Sequence, residues 1–561
     1  MRRLDTWVHL DADGQRTFIG QRVRLLQPQA LQAGNLAIAW NPAVGSPTLH
    51  TLRVYRGENT IDLAGSAEFE VLRREDQLEQ AMLSGVLTAV LKVPDLRVGD
   101  ELEIEYSMPS GDPTLGAQSA GLLGWAGTPL PGRYRMGLSW EPGQAPVVRA
   151  TDDLGSALTR GESSLLVQVD NPPPVAPPKH APPRYQWQRV IEFTDFASWS
   201  DLSRRFAPLY AAAAKVDPAS PIKAEAARIA AAHNTPAARA RAALQLVQEQ
   251  VRYIYVGLDG GNFRPASADE TWQRRYGDCK GKSALLLALL NELGIPADAV
   301  LVNNEGADDG LDARLPSPAM FDHVVVRARI GGETYWLDGT MPGVVDMGTR
   351  PLVPYRWVLP LTTAGSALDK MPQTPLALPE EMGLYESDAR AGFDKPARKV
   401  QTVVKRGVPG VAEYLQLSTL TPDQLTQSFR NAAAGGEEWD TVDQVSYRYD
   451  RATQASVLTI AGNGPVEWDK DGTSYSLSLP GGGFSPPERR LRPAEQDAAA
   501  PFYTEPSYGC YATTVRLPDG TDLDHWGFNS VYDTLIYGRL YYRMMERRDD
   551  RTIRLVRGSR V

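Results

Sequence analysis

Seven apolar residues in unbroken succession, Ala284–Leu290, with Leu293 just beyond, demand a helix that meets protein on every side. The bounds of that helix are written beside it. Gly294 suits a left-handed C-terminal cap and Pro296 prevents continuation. Gly277 and Asp278 are turn and cap types, so the helix begins at about residue 279. A segment this apolar cannot lie on a surface, and the chain must build a domain around it.

The first residue of that helix is Cys279. A sulfur nucleophile acts as thiolate, and the exposed amides and dipole of a helix start favour negative charge. A backbone amide there can also stabilise the oxyanion of a tetrahedral intermediate. Lys280 adds positive charge nearby or turns to solvent. A free cysteine is as readily a small core residue, but the Gly-Asp-Cys-Lys opening is a polar setting.

Further along, Phe321–Ile330 and Glu333–Asp338 flank Gly331-Gly332, a strong hairpin signal. With Ile330 opposite Glu333, Asp338 falls opposite Val325, on the sheet face that carries His323. Diagonal neighbours on one face lie about 7–8 Å apart, a gap that a carboxylate and an imidazole can close. An aspartate fixing the ring tautomer, with the other ring nitrogen toward the cysteine, is the arrangement a thiol enzyme needs. The candidates are Cys279 as nucleophile, His323 as base and Asp338 as the orienting acid. The other histidines, among them His525 in Asp524-His525-Trp526, lack a comparable setting. Ligand-spaced Cys and His pairs are absent, which argues against a metal site, and the chemistry requires no cofactor.

The 561 residues exceed one hydrophobic core. Residues 1–185 read as a β-sandwich domain ending in a Pro-rich linker: Thr51–Tyr55 and Leu102–Tyr106 alternate apolar and polar, and Asp11–Gly14 and Asn41-Pro42 are turn chemistry. The linker, Asn171–Pro183, reads as a stiff extended spacer; a ligand for a proline-recognition module is the alternative. Residues 186–355 form the α+β domain around Cys279. Before the cysteine, Trp199–Ala214 and Ile222–Val251 are helical, interrupted at Pro208 and Pro236, with Thr235 as a cap and Ala227, Ala230 and Ala231 as a close-packing stripe. Residues 375–561 alternate again as a β-rich domain, with glycine turns at Gly435-Gly436 and Gly481–Gly483. The fold class is multidomain α+β.

With 59 Lys+Arg against 68 Asp+Glu and no concentrated basic stripe, nucleic acid is excluded as the main partner. No stretch is apolar for long enough to span a membrane. Met1–Leu10 has two arginines but no apolar core of a secretory signal. The two cysteines, Cys279 and Cys510, cannot supply a disulfide framework. A single bridge between them would consume the nucleophile.

Together the segments YGDCKGKSALLLALLNELGIPA, FDHVVV and YWLDGT resemble the transglutaminase-like superfamily of papain-like cysteine enzymes, in the order Cys, His, Asp. The resemblance is specific over about residues 220–345. The wider layout is similar to a bacterial branch with an N-terminal β-sandwich domain of unknown function. It implies catalytic roles for Cys279, His323 and Asp338 and a location in the periplasm or outside the cell. Gln273, six positions before the cysteine, has the spacing of an oxyanion donor or is a solvated polar residue. Trp272 and Trp336 line an acyl groove or belong to the core, and Gly277 serves the backbone geometry at the helix start.

The expected activity is cysteine-dependent acyl transfer or hydrolysis at an amide of a protein or peptide substrate, through an acyl-thioester on Cys279. Water makes the protein a peptidase or deamidase; an amine makes it a cross-linker. The rival is a non-catalytic protein- or glycan-binding assembly protein carrying an inherited triad. Oligomeric state is not written in the sequence.

Overall fold

The computed structural model describes residues 1–73, 86–125, 127–254, 263–341, 343, 348–434, 438–478, 487–527 and 531–561. The glycine turns expected at 435–436 and 481–483 lie outside them. The chain divides into two compact units, one of Met1–Thr340, Pro354–Met371 and Arg492–Pro501, the other of Met341–Val353, Pro372–Leu491 and Phe502–Val561.

The first unit opens with a β-sandwich. Its eight-stranded sheet runs Leu158–Arg160, Ser164–Asp170, Arg133–Trp140, Arg3–Asp11, Gly14–Arg24, Glu101–Pro109, Thr48–Arg56, Asn59–Asp62. A three-stranded sheet packs on each end of it. Val8, Leu10, Met136, Leu138 and Val167 meet Leu123, Ile191 and Phe193 in one core. Leu52, Val54, Leu102 and Ile104 meet Ile38, Trp40 and Ala89 in the other. The alternation predicted this: Leu52 and Val54 face inward, while Glu103 on the other face accepts from Arg3 and Tyr55. At Asp11–Gly14 the first two strands turn with Asp11 opposite Gly14, whose φ is +116°. The proline run passes without strand pairing and is held where Lys179 N–H donates to Gln496 and Arg492 donates back to the Lys179 carbonyl. It therefore behaves as a fixed spacer. Beyond it, Val190–Thr194 becomes the middle strand of the small sheet, between Val147–Ala150 and Ala120–Gly124.

The helical layer follows: α1 (Trp199–Ala213), α2 (Pro221–Ala232), α3 (Pro236–Gln250), α4 (Ala268–Arg274) and α5 (Cys279–Glu292). The next strands are β1 (Ala297–Val302), β2 (His323–Ile330), β3 (Glu333–Leu337), β4 (Trp357–Pro360) and β5 (Asp369–Lys370), in the sheet order β3-β2-β1-β4-β5. Helix α5 lies at the centre, against β1 and β2 on one side and α1 to α4 on the others, and every residue from Cys279 to Leu290 is buried. Gly294 caps it at φ +68°, with Ile295 N–H returning to the Leu290 carbonyl.

Two expectations need correction. Helix α1 runs through Pro208, because Leu202, Phe206, Tyr210 and Ala213 bury one stripe while the proline sits on the exposed side. Tertiary packing there outweighs the lost backbone bond. On α2 the buried stripe is Ile222, Ala226 and Ile229; Ala227 and Ala231 face solvent, since the larger isoleucines set the packing face. The break at Thr235-Pro236 is as read, with the Thr235 hydroxyl accepting from Ala238 N–H at 3.2 Å.

The second unit centres on an eight-stranded sheet, from Thr441–Asp450 at one edge to Tyr532–Ile536 at the other. Two helices, α6 (Val408–Leu417) and α7 (Pro422–Ala434), pack on it, an addition to the strands the pattern predicted. The chain is thus multidomain α+β.

Candidate active site

The site forms where the start of α5 meets the start of β2. Asp278 caps the helix, its Oδ1 accepting from Gly281 N–H at 2.9 Å, which fixes Cys279 as the first helical residue. Its other oxygen lies 2.5 Å from Lys280 Nζ, so Lys280 turns inward into a buried ion pair and not to solvent. Ser283 donates to the Val324 carbonyl at 3.1 Å and pins the helix to the strand that begins with His323.

The hairpin has the predicted register, Ile330 opposite Glu333 and Val326 opposite Leu337. His323 Nε2 donates to Asp338 Oδ2 at 3.0 Å. The remaining oxygen, Oδ1, accepts from Thr340 N–H at 2.8 Å and Thr340 Oγ1 at 2.6 Å, and Gln248 on α3 donates to the Asp338 carbonyl at 2.9 Å. The carboxylate is therefore oriented before it orients the ring. Cys279 lies close enough to His323 to add to the upward pull on its imidazole. The structure brings the three predicted residues into one buried line, with Cys279 only 1% and His323 4% exposed.

The electrostatics follow from this line. Burial opposes charge on His323, but the Asp338 carboxylate, the hydrogen bond to it and the nearby Cys279 outweigh it, holding the imidazole well above its ordinary value. Burial likewise opposes charge on Asp338, yet His323 and the two Thr340 donors hold it below the usual carboxylate range. The ring beside Asp338 is thereby held toward its charged form, and a positive imidazole next to a sulfur is the kind of setting a thiol enzyme uses.

Other residues are placed less centrally. Gln273 lies exposed on α4. Trp272 is buried beneath the guanidinium of Arg275, and Trp336 stands half-buried across from Arg327. Gly277 has no left-handed backbone; a Cβ there would meet Thr271 Cγ2 at 3.0 Å, so close approach of α4 is what requires glycine. A cavity of about 780 Å³ in the second unit includes His525 and Trp526, well apart in the sequence from Cys279. Both cysteines are free. Among the described residues no group of side chains is placed to hold a metal, and no helix is long and apolar enough to cross a membrane.

A cavity of about 740 Å³ opens beside the turn that leads into Cys279, lined by Pro208, Leu209 and Ala213 of α1, Thr271 of α4, Gly277 and Asp278. Four residues near the line went unread in the sequence. Thr340 carried a signal, the hydroxyl two positions after an aspartate in an Asx-type turn. Tyr210, Lys282 and Tyr355 arrive from other elements by tertiary packing. Burial holds the Lys282 amine down at about 8, with Asp338 acting in the opposite sense. It donates to the Val251 carbonyl. Burial and nearby negative charge push the Tyr355 phenol well up, and it bonds Asn304 at 2.8 Å.

Known proteins resemble the chain in parts. No curated protein matches it. A crystal structure of a candidate protease from Parabacteroides distasonis covers 100% of this chain and 92% of its own at 13% identity and TM-score 0.59, which shows a shared fold. The periplasmic domain of TgpA from Pseudomonas aeruginosa covers 53% of this chain and 90% of its own at 14% identity and TM-score 0.18, too low to carry an argument. Residues 12–151 match the family model of a domain of unknown function with solved structure, DUF3857. Residues 223–339, which hold the whole Cys279–His323–Asp338 line, match that of the transglutaminase-like superfamily, so this chain carries a transglutaminase-like core behind a DUF3857 domain.

Proposed function

We propose that the protein is a cysteine enzyme of amide acyl transfer. Cys279 attacks a carbonyl carbon as thiolate, and the electron pair of the C=O bond moves to oxygen. His323 gives its proton to the departing amine as the adduct collapses to an acyl-thioester. Water or a second amine then takes the acyl group, with His323 accepting the proton of that nucleophile. Asp338 holds the ring and stabilises the imidazolium. The observation that carries the reading is the buried line itself, a sulfur, an imidazole and a carboxylate anchored by two Thr340 donors. Protein or peptide is the proposed substrate and the periplasm or cell exterior the proposed location, both on the family resemblance alone.

The test is alkylation by iodoacetamide at neutral pH, read by peptide mass spectrometry. Cys279 is buried whereas Cys510 is half-buried, so exposure alone favours Cys510. Faster labelling of Cys279 supports an activated sulfur; faster labelling of Cys510 defeats the reading. Enclosure of the thiol is the one observation favouring the rival, a binding protein with an unused triad. Cys279→Ala separates the two: an enzyme loses its phenotype, and a scaffold keeps it.

A further inference from the structure

We infer that the hydroxyl of Tyr210 is the side-chain donor for the oxyanion that forms when Cys279 attacks a carbonyl; the inference rests on the acyl-transfer reading above. Tyr210 belongs to the buried stripe of α1, the helix packed against α5, and is 2% exposed. Among the described residues its oxygen has no hydrogen-bond partner, and it is closed off from water. A phenol sealed inside a protein ordinarily finds a partner. One that does not is a donor held in place with nothing to donate to in the resting state.

Its surroundings indicate what it waits for. Leu209 before it and Ala213 one turn beyond it on α1 line the same cavity as Gly277 and Asp278, the two residues that lead into Cys279. Burial above all, with Cys279 and Asp278 nearby acting in the same sense, pushes the phenol well above its ordinary value. It therefore stays protonated throughout any working pH and remains a donor. No such role falls to Gln273, which is exposed on α4. In the proposed step the Cys279 sulfur bonds to the carbonyl carbon and the carbonyl π pair becomes an oxyanion. The Tyr210 O–H and the backbone amides at the start of α5 donate to that oxygen. When the C=O bond re-forms, the leaving group departs and the phenol is again without a partner. A donor oriented before charge develops needs no reorganisation during the reaction.

Tyr210→Phe in the full chain removes the hydroxyl and keeps the ring. The probes are iodoacetamide, whose displacement reaction makes no oxyanion, and p-nitrophenyl acetate, whose acyl transfer does. The expected result is a fall of about 10²-fold in Cys279-dependent ester turnover, carried by kcat. Alkylation of Cys279 should stay within about twofold, and the melting temperature should be equal or higher because an unpartnered hydroxyl has left the core. Unchanged turnover overturns the inference. So does an equal loss of alkylation, which would mean the phenol acts on the sulfur, or a drop in melting temperature, which would mean it has a structural partner. A wild-type protein whose ester turnover survives Cys279→Ala fails at the earlier step and defeats the acyl-transfer reading itself.

Discussion

Asp278 and Lys280 form an ion pair at 2.5 Å that straddles Cys279 in the chain, with both side chains closed off from water. Cys279 therefore sits on a turn held from both sides, by the cap to Gly281 and by this pair. Asp278→Ala removes both restraints. The lost cap costs about 1 kcal/mol, and breaking the buried ion pair adds up to about 3–5 kcal/mol. Urea unfolding should show a loss of that combined order, and Asp278→Asn, which retains a capping oxygen, a smaller one. A loss below about 1 kcal/mol for the alanine variant would contradict a buried pair.

The pairing of His323 with Asp338 fixes a pH window. The imidazole is held above its ordinary value, so its contribution to stability is whole below the unfolded value of about 6.5 and fades as pH rises through the folded one. The carboxylate is held below its ordinary value, so its contribution is whole above about 3.9 and fades as pH falls. The stability difference between wild type and Asp338→Asn should therefore be greatest between about pH 4 and 6.5 and shrink on both sides. A difference independent of pH would remove the pair from consideration. Turnover by the same variant should drop about 10³–10⁴-fold, as expected when the ring loses its tautomer and its counter-charge.

Lys282 predicts a second, opposite pH effect. Its amine is lowered from 10.5 to about 8, so between those values the unfolded chain binds a proton that the folded one does not. Stability should climb by up to about 3 kcal/mol as pH rises across that range. In Lys282→Met this climb should vanish, as followed by urea midpoints from pH 7.5 to 10.5. Persistence of the slope in the variant would assign it to another group.

The approach of α4 to α5 yields a packing prediction. A Cβ on Gly281 would lie 2.9 Å from Thr271 Oγ1. Gly281→Ala should cost about 1–3 kcal/mol by overpacking, and Thr271→Ala should recover part of that cost in the double variant. Additive losses would show that the crowding lies elsewhere.

The parts legible in sequence are those written by local chemistry. Asp278, Gly294 and Pro296 marked α5 because caps and breakers act within a few residues. Gly331-Gly332 and the period-two pattern gave the hairpin register, and with it the face shared by His323 and Asp338. What sequence could not supply came from distant packing. Tyr210 precedes Cys279 by dozens of residues and comes into its neighbourhood only because α1 lies on α5. Pro208 read as a break because its penalty is local, whereas the buried stripe that overrides it is tertiary. The alanines of α2 were assigned one position off the face that Ile222 and Ile229 select. Lys280, charged and beside an aspartate, read equally as a surface residue, and only burial decided otherwise.

Gly331 and Gly332 are exposed and take φ values of +62° and +89° in the turn between β2 and β3. Their number still decides how the His323–Asp338 pair is assembled. Side chains alternate along β3, so one added residue in this turn would send Asp338 to the opposite side of the sheet and leave the histidine unescorted. Loop length thus decides whether His323 and Asp338 share a face, and an insertion there would part them while sparing every residue of the pair.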